Sequence, residues 1–216
     1  RLFNVLKMES NLGPRETFYR SYDDPTNKFK GWKSRETIEA SMDMSAEFYR
    51  FYDTITFSKI PGFYKMAKWM HTIEPTVGYR YAPRVNQKNI PTFDDLDRIP
   101  YTDQITYGIT QRLIGKPETI GISSGPSEYG KLNIIQSYSL GDPFQIDSKG
   151  KERYFSNIKA ELWWRVSQYL YVQGDAEFSP YQRNFDIWNA LINLRDKRND
   201  VVQVQYRFTK GSIKEI

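Results

Sequence analysis

The chain has 216 residues, of which 39% are hydrophobic, and it carries a formal net charge of +5 at pH 7. No apolar run approaches the about 20 residues that a membrane-spanning helix needs, so a passage through a bilayer would have to use strands. The 31 lysines and arginines are dispersed along the chain, which argues against a nucleic-acid-binding surface. Without cysteine the chain can form neither disulfides nor thiolate metal sites.

Aromatic residues are numerous, with 16 Tyr, 13 Phe and 5 Trp making up 16% of the chain. Many of them stand near the ends of segments in which apolar and polar residues alternate. This placement is typical of membrane β-barrels, whose aromatic side chains form bands at both interfaces. A soluble β-sandwich rich in tyrosine is the alternative that composition leaves open.

The first alternating segments, at 2–10 and 14–22, are weak, and we predict a short turn between them at 11–13. The clearest segment is 38–48, in which every second residue is apolar and the residues between are Glu, Ser or Asp. A helix would spread those carboxylates around its circumference, so the pattern predicts a strand. Further strands are predicted, in chain order, at 71–81, 105–113, 132–140, 158–166, 170–178, 185–196 and 202–208.

The length of these segments bears on the fold, because strands of soluble proteins usually have about five or six residues. A tilted strand needs about 9–11 residues to cross a bilayer, so length and alternation together predict an all-β fold, an antiparallel transmembrane β-barrel. About ten strands alone would leave two open edges in lipid, which is unfavourable. Since the chain shows no internal domain boundary and no signal peptide at its start, we expect a fragment of a larger barrel.

The predicted connections alternate in length. Those at 11–13, 167–168 and 197–200 are short, and those at 23–34, 83–102 and 142–153 are long. Membrane barrels place short turns at the periplasmic end and longer loops outside, so the pattern fits a chain that begins by running toward the periplasm. Three connections depart from this rule, the long ones at 53–68 and 116–128 and the short one at 180–184.

Residues 71–94 form the most distinctive segment, an alternating strand that leads into a long polar connection. Ile73 and Val77 lie on one face of this strand and Thr72 and Thr76 on the other, so the strand separates two environments. Pro75 removes a backbone donor, and we expect a bulge, a strand start or weakened pairing there. The residues that characterise the segment are His71, Glu74, Pro75, Tyr79, Tyr81, Pro83, Gln87, Ile90, Pro91, Phe93 and Asp94.

The sequence of this segment resembles that of the C-terminal barrel of the LptD family of lipopolysaccharide-assembly proteins. Three later stretches, 103–113, 154–178 and 198–208, resemble the same family in the same order, so the resemblance covers roughly residues 70 to 208. It implies that residues 1–216 belong to a single C-terminal barrel domain of the outer membrane. The N-terminal periplasmic jellyroll of the family and its disulfide cysteines are not found in this sequence.

The resemblance implies a function that is not enzymatic. Family members take lipopolysaccharide from a periplasmic lipopolysaccharide-bridge protein, through the jellyroll, and release it into the outer leaflet, with a plug lipoprotein of the LptE type in the barrel lumen and outer-membrane lipids around it. Arginines on the polar strand faces are candidates for lumen-facing cations near anionic headgroups or the plug, namely Arg80, Arg112, Arg165 and Arg207.

Motifs for catalysis are weak. His71 is the single histidine, and no evident partner gives it a metal-binding or nucleophilic role. Residues 125–131 have the Gly and Lys spacing of a phosphate-binding loop, but Leu132 replaces the hydroxyl residue and a strand follows, so we predict a Gly-Pro turn. We therefore predict no enzyme, no cofactor and no metal site.

Two groups of carboxylates resemble catalytic or metal-binding sites but have simpler explanations. Glu39, Asp43 and Glu47 share a strand face, as paired catalytic acids would, but a water-filled lumen also carries such charges. Aspartates around the long connection offer oxygen ligands for a divalent cation, yet they lack the spacing of a calcium loop and fit a hydrated loop better. These are Asp94, Asp95, Asp97 and Asp103.

Two further classes of protein stay open at this point. A diffusion porin or an active transporter would share the alternating strands but would not require the sequence motif of residues 74–94. A soluble sugar-binding β-sandwich would use the alternating apolar positions to form an internal core. The exposure of those positions in the folded chain distinguishes the sandwich from either barrel.

Overall fold

A computed structural model of the protein describes residues 6–21, 31–53, 66–85, 99–117, 125–146 and 150–211. All regular structure in these ranges is β-strand. The strands are β1 (Leu6–Ser21), β2 (Gly31–Ala46), β3 (Phe48–Asp53), β4 (Met66–Ala82), β5 (Thr102–Pro117), β6 (Ser127–Ser139), β7 (Gln145–Ile146), β8 (Glu152–Arg153), β9 (Ile158–Arg165), β10 (Leu170–Ser179), β11 (Asn184–Arg195) and β12 (Val201–Thr209).

Ten of these strands form one antiparallel sheet in the order β1-β2-β4-β5-β6-β9-β10-β11-β12, with β3 paired to β4 beside β2. β7 and β8 form a separate two-stranded ribbon between β6 and β9. The predicted all-β antiparallel fold of about ten long strands is confirmed. In the part of the chain that the structure describes, no helix has the length and apolar character needed to span a membrane.

The two ends of the sheet differ in their connections. β1, β4, β6 and β10 end at what we call the long-connection end, and β3, β5, β9 and β11 end at what we call the turn end. The predicted short turns at 167–168 and 197–200 are confirmed. Both turns are held by backbone hydrogen bonds, including one from the Ser167 N–H to the Leu170 carbonyl (3.2 Å) and one from the Asp196 N–H to the Asp200 carbonyl (3.0 Å).

The predicted turn at 11–13 is wrong, because these residues lie inside β1. Leu12 is paired with Ala40 and Gly13 with Glu39 in an unbroken register along β2. Pro14 does not end the strand, since β1 is an edge strand, where a missing N–H can point away from the ladder. β1 therefore runs as one strand toward the long-connection end, opposite to the predicted starting direction.

Pro75 marks a local loss of pairing between β4 and its neighbour. Ser45 of β2 pairs with Thr76, and Phe48 of β3 pairs with Ile73, so the register is the same on both sides of the gap. The gap lies opposite residues 74–75, where proline has no N–H to donate. β2 and β3 are thus two parts of one span that is interrupted at a proline in the facing strand.

The register assigns each strand residue to one of two faces, because residues paired across antiparallel strands share a face. A row of polar side chains crosses seven strands on what we call the polar face: Glu74, Thr110, Asn133, Glu161, Asp175, Asn189 and Arg207. The adjoining row lies on what we call the apolar face: Ile73, Gln111, Leu132, Leu162, Gly174, Ala190 and Tyr206.

Most apolar side chains of the apolar face are exposed or half-buried rather than packed into a core. The exposed fraction is 54% for Ile38, 38% for Leu162 and 51% for Val204. A small cluster near the turn end is an exception, consisting of the buried Met66, Trp69 and Tyr129 with Tyr52 and Leu113 against them. A sandwich would cover the apolar face with a second sheet, and the described residues supply none, which argues against that alternative.

Candidate functional site

The polar face is concave. A recess of about 790 Å³ opens on it and is lined by Lys7 of β1, Asp43 of β2, Arg80 of β4 and Lys159 of β9, among others. β1 and β9 are separated by four other strands in the sheet, so their side chains line one recess because the sheet curves around it. Phe144 also lines this recess, which places the connection between β6 and β9 over its rim.

Several charges in the middle of the polar face are paired with one another. Arg112 lies 3.2 Å from a Glu74 carboxylate oxygen and 3.4 Å from a Glu128 carboxylate oxygen. Lys159 lies 3.0 Å from a carboxylate oxygen of Glu177, its direct partner across β9 and β10. Such partly exposed pairs contribute about 0–1 kcal/mol each, so they make this surface polar more than they stabilise the fold.

Uncharged polar side chains continue this pattern across the strands. The Thr110 hydroxyl donates to the Asn133 side-chain oxygen at 3.0 Å, and the Asn189 amide donates to an Asp175 carboxylate oxygen at 2.7 Å. Each of these is a directly opposed pair in the antiparallel register. Hydroxyls, amides and charges on one concave surface form a lining that water can solvate.

All four arginines that the sequence suggested lie on the polar face, but in different surroundings. Arg80 is 3.4 Å from an Asp43 carboxylate oxygen, and Arg112 forms the two ion pairs described above. The Nε of Arg207 lies 2.9 Å from the side-chain amide of Gln205. Arg165 lies at the turn end with its guanidinium 5.8 Å from the Trp163 ring centre. The four thus share a face without forming one site.

The residues of the 71–94 segment are divided between the faces. His71, Pro75, Tyr79 and Tyr81 are on the apolar face, and Glu74 is on the polar face. Pro83 follows the end of β4. The remaining candidates lie outside the described residues, namely Gln87, Ile90, Pro91, Phe93 and Asp94, as do Asp95 and Asp97.

The surroundings of His71 suit a strand residue. Its Nε2 lies 3.2 Å from the Gln111 side-chain oxygen, also on the apolar face. Glu39 and Asp43 lie on the polar face, and Asp43 pairs with Arg80. Within the described ranges no group of three His, Asp or Glu side chains is arranged to hold a metal ion.

The connections at the long-connection end are tied to one another. Arg84, just after β4, forms an ion pair with Asp142, just after β6, and its guanidinium lies 4.6 Å from the Tyr101 ring centre. The Leu140 N–H donates to the Asp103 carbonyl at 2.8 Å. Desolvation and the Asp103 carboxylate raise the pKa of Tyr101 above its ordinary value.

A second set of contacts ties the connection between β6 and β9 to the turn between β10 and β11. The Tyr181 hydroxyl accepts a hydrogen bond from the Phe155 N–H at 2.8 Å, and the Arg153 guanidinium lies 4.5 Å from the Tyr181 ring centre. The hydrogen bond that the Tyr154 hydroxyl donates to Glu152 raises the pKa of Tyr154. The connection is therefore held on both of its sides.

Aromatic side chains form two bands on the apolar face. The band near the turn end contains Tyr52, Trp69, Tyr129 and Trp164, with Trp69 and Tyr129 in edge contact at 5.4 Å. The band near the long-connection end contains Tyr79, Tyr81, Tyr107, Tyr138, Phe178, Phe185, Trp188, Tyr206 and Phe208. Aliphatic residues such as Ile73, Leu162 and Val204 lie between the bands.

Arg195 is a polar-face residue that sequence reasoning missed. It pairs with Val201 at the turn end and shares the face of Asn189 and Asn193. The alternation in 185–196 contains this information, but the segment was too weakly patterned to single out one cation. Lys68 and Lys116 were missed as well, and they stand directly opposite each other on β4 and β5.

Comparison with known proteins identifies the family. A model of the family described as "LPS transport system D", LptD, matches residues 6–216. Three relatives carry the name LPS-assembly protein LptD, and each is 23% identical to this chain. The protein of Methylococcus capsulatus aligns with 66% of the chain, that of Francisella tularensis subsp. tularensis with 90% and that of Nitrosococcus oceani with 95%.

The chain spans only part of these relatives, namely 17% of the Methylococcus capsulatus protein and 28% of each of the other two. The stretches that resembled the family in the sequence fall on β4, β5, β9, β10 and β12 of the observed sheet. The family match covers all ten strands of that sheet. On this evidence the chain belongs to the LptD family.

Proposed function

We propose that this chain forms part of the barrel wall of an outer-membrane protein that assembles lipopolysaccharide into the outer leaflet. The observation that carries the proposal is the exposed apolar face between two aromatic bands, opposite a concave charged face. An apolar surface of this width is unfavourable in water and favourable against lipid. The relatives named LPS-assembly protein supply the substrate class of the proposal.

The spacing of the aromatic bands supports a position across a bilayer. Ten residues separate Trp69 from Tyr79 along β4, which is about 33 Å at about 3.3 Å per residue. A strand tilt of about 40° would give a height of roughly 25 Å, which is the apolar band of outer-membrane barrels. The long-connection end would then be external and the turn end periplasmic.

The proposed domain assignment follows from the same reasoning. Residues 1–216 would be part of one C-terminal barrel domain, and the family's periplasmic jellyroll would lie in another part of the whole protein. The sheet has β1 and β12 as its two edges, and each would pair with further strands of the larger barrel. Outer-membrane lipids would contact the apolar face.

The polar face would line a hydrated lumen that admits a charged, sugar-bearing headgroup. Its part in transport would be non-enzymatic, with Arg80, Arg112, Arg165 and Arg207 directed into the lumen. A plug lipoprotein of the LptE type would occupy this space, and a periplasmic lipopolysaccharide-bridge protein would reach the whole protein through its jellyroll. Polar side chains in hydrogen-bonded rows fit a surface that exchanges water for hydroxyl-rich ligands.

The test is accessibility of single cysteines in the full-length parent protein in the outer membrane. We expect a water-soluble maleimide to label Asp43→Cys, Glu161→Cys and Gln205→Cys, while Met42→Cys, Leu162→Cys and Val204→Cys are shielded. Each shielded position is next in sequence to a labelled one, so local unfolding would expose both. Equal labelling of both sets, or folding of the parent protein without detergent or lipid, would contradict the membrane assignment.

Substrate identity needs a second readout. A photo-crosslinking amino acid at Ser137, which lines the recess of the polar face, should form an adduct with lipopolysaccharide in cells. The same amino acid at Val204, on the apolar face, should give adducts with bulk membrane lipid instead. A diffusion porin would show the cysteine pattern without the adduct at Ser137, which distinguishes that class from the proposed one.

A further inference from the structure

The turn end of the polar face differs from its middle in how its charges are balanced. Lys68 and Lys116 stand directly opposite each other across β4 and β5, a placement that is unfavourable for like charges. Neither lysine lies within ion-pair distance of a carboxylate of the described residues, and the same holds for Arg165 and Arg195. Asp53 of β3 stands directly opposite Lys68 but not within ion-pair distance. In the described part of the chain the cations of this end are therefore not held in ion pairs.

Two of these cations line a recess. A cavity of about 720 Å³ lies at the turn end between β9 and β12 and is lined by Arg165, Tyr171, Asn193, Arg195 and Gln203. Its volume falls in the range of about 300–1,000 Å³ that is usual for small-ligand sites. The register places the two guanidinium groups, the Asn193 and Gln203 amides and the Tyr171 phenol on the polar face. The turn residues 167–170 and Val201 complete the lining.

The floor of this recess is held by the turn at 166–169. The Ser167 hydroxyl accepts from the backbone N–H groups of Tyr169 and Leu170 at 3.1 Å each, and the Arg195 N–H donates to the Tyr169 carbonyl at 2.8 Å. A site on a pre-formed scaffold loses less entropy when a ligand binds.

The nearest carboxylate in sequence, Asp196, is engaged elsewhere. One of its oxygens accepts from the backbone N–H groups of Arg198 at 2.7 Å and Asp200 at 2.9 Å. These bonds hold the carboxylate within its own turn. The preceding guanidinium, on Arg195, is left open to an external anion.

We propose that this recess binds the phosphate group of a phosphorylated sugar headgroup, with Arg165 and Arg195 as the phosphate ligands. The proposal rests on the proposed function, to which it adds the place and the chemistry of one contact. Two guanidinium forks match the oxygens of a phosphate, and the amides of Asn193 and Gln203 suit sugar hydroxyls.

The recess assigns different roles to the arginines of the polar face. Arg80 and Arg112 already have carboxylate partners at 3.2–3.4 Å, and an anion would have to displace those partners. Arg165 and Arg195 require no such exchange. Anion binding should therefore depend on the turn end and not on the middle of the face.

The test uses the purified full-length parent protein in detergent and two probes, bisphosphorylated lipid A and the same lipid without its phosphates. We expect Arg165→Gln and Arg195→Gln each to weaken binding of the phosphorylated probe about tenfold, since a charge-assisted hydrogen bond is lost. Binding of the dephosphorylated probe should stay unchanged. Arg198→Gln removes the same charge from a neighbouring turn outside the recess and should leave both affinities as they were.

Folding is checked by the mobility shift of the intact barrel on unheated gels, so that a misfolded variant is recognised. An equal loss of affinity for both probes would mean that the recess does not recognise phosphate and would overturn the proposal. An unchanged affinity for the phosphorylated probe in a variant that combines Arg165→Gln with Arg195→Gln would overturn it too. Loss of a co-purifying protein with lipid binding intact would assign the recess to an acidic protein segment instead.

Glucosamine 1-phosphate and inorganic phosphate serve as competitors. Competition by the sugar phosphate at lower concentration than phosphate alone would support the amides as sugar contacts, and equal competition would limit the site to the anion and overturn that part of the proposal. A lipopolysaccharide adduct at Ser137 together with unaffected variants would reject this inference and keep the proposed function. Absence of that adduct would reject the proposed function itself.

Discussion

The two faces of the sheet use the same strands and meet opposite demands. The apolar face exposes aliphatic side chains between aromatic bands, while the polar face carries ion pairs and hydrogen-bonded rows around a concave recess. In a soluble protein the apolar face would be covered by other parts of the protein, and only the polar face would contact water. Here both faces are open, which is the arrangement that the proposed barrel wall requires, with lipid on one side and water on the other.

Introducing the same charged side chain on each face in turn should reveal the largest difference between the two faces. Leu162→Arg puts a cation into the middle of the apolar face and should cost about 2–4 kcal/mol of unfolding free energy in lipid. Glu161→Arg introduces the same side chain one residue away on the polar face and should cost less than about 1 kcal/mol. Denaturant unfolding of the full-length protein in vesicles measures both, and equal costs would contradict the assignment of the faces.

Packing between strands provides the next largest effect. A Cβ on Gly108 would stand 2.6 Å from the Ile134 carbonyl oxygen and 2.7 Å from Ile135 Cγ2, and the oxygen belongs to a backbone that cannot swing aside. We expect Gly108→Ala to destabilise the protein by about 1–3 kcal/mol. Gly13→Ala is the matched control, because nothing lies within 4 Å of its Cβ position. The two midpoints of denaturant unfolding should differ, and identical midpoints would show that β5 and β6 can separate freely.

Arg112, Glu74 and Glu128 form what we call the Arg112 cluster, in which we can measure whether charges of the polar face stabilise one another. Arg112→Gln leaves Glu74 and Glu128 without their shared cation, and we expect a loss of about 1 kcal/mol, because the arginine side chain is only 31% exposed. Adding Glu128→Gln should recover part of that loss, since one of the two unpaired carboxylates is removed. Thermal unfolding at low and high salt gives both values, and a loss that is independent of salt would point to packing instead.

The exposed pair of Arg80 and Asp43 should show the smallest effect. Both side chains are 52% exposed and 3.4 Å apart, so their coupling should stay below about 0.5 kcal/mol. A double-mutant cycle with Arg80→Gln and Asp43→Asn measures this coupling directly. A coupling as large as that of the Arg112 cluster would mean that water is largely excluded from this part of the recess.

Much of this fold can be predicted from the alternation of apolar and polar residues. The run at 38–48 predicted a strand with Asp43 and Met42 on opposite faces, and the structure has that arrangement within β2. Turns such as 167–168 were predicted because alternation stops and restarts there. The failure at 11–13 has a physical cause: Asn-Leu-Gly-Pro is a turn-like sequence, but pairing with β2 holds it extended along an edge where proline is tolerated.

The candidate site was less accessible to such reasoning. Sequence placed Arg80 and Arg112 on polar faces but could not tell that carboxylates from neighbouring strands approach them, because residue 74 and residue 112 meet only through the register of β4 and β5. For the same reason Arg195 was overlooked although it shares a recess with Arg165. Contacts between distant segments depend on register, and register is not written in the alternation of a single strand.

By itself the sequence determined the strands, their two faces and the resemblance to the LptD family. These depend on the alternation of apolar and polar residues and on local sequence motifs. Tertiary structure decided which charges neutralise one another, where unpaired cations gather and how Pro75 interrupts pairing without shifting it. The physical reason is range. Alternation acts over a few residues of one chain segment, whereas an ion pair or a recess needs the ordered alignment of strands that are 30 or more residues apart, as Glu74 and Arg112 are.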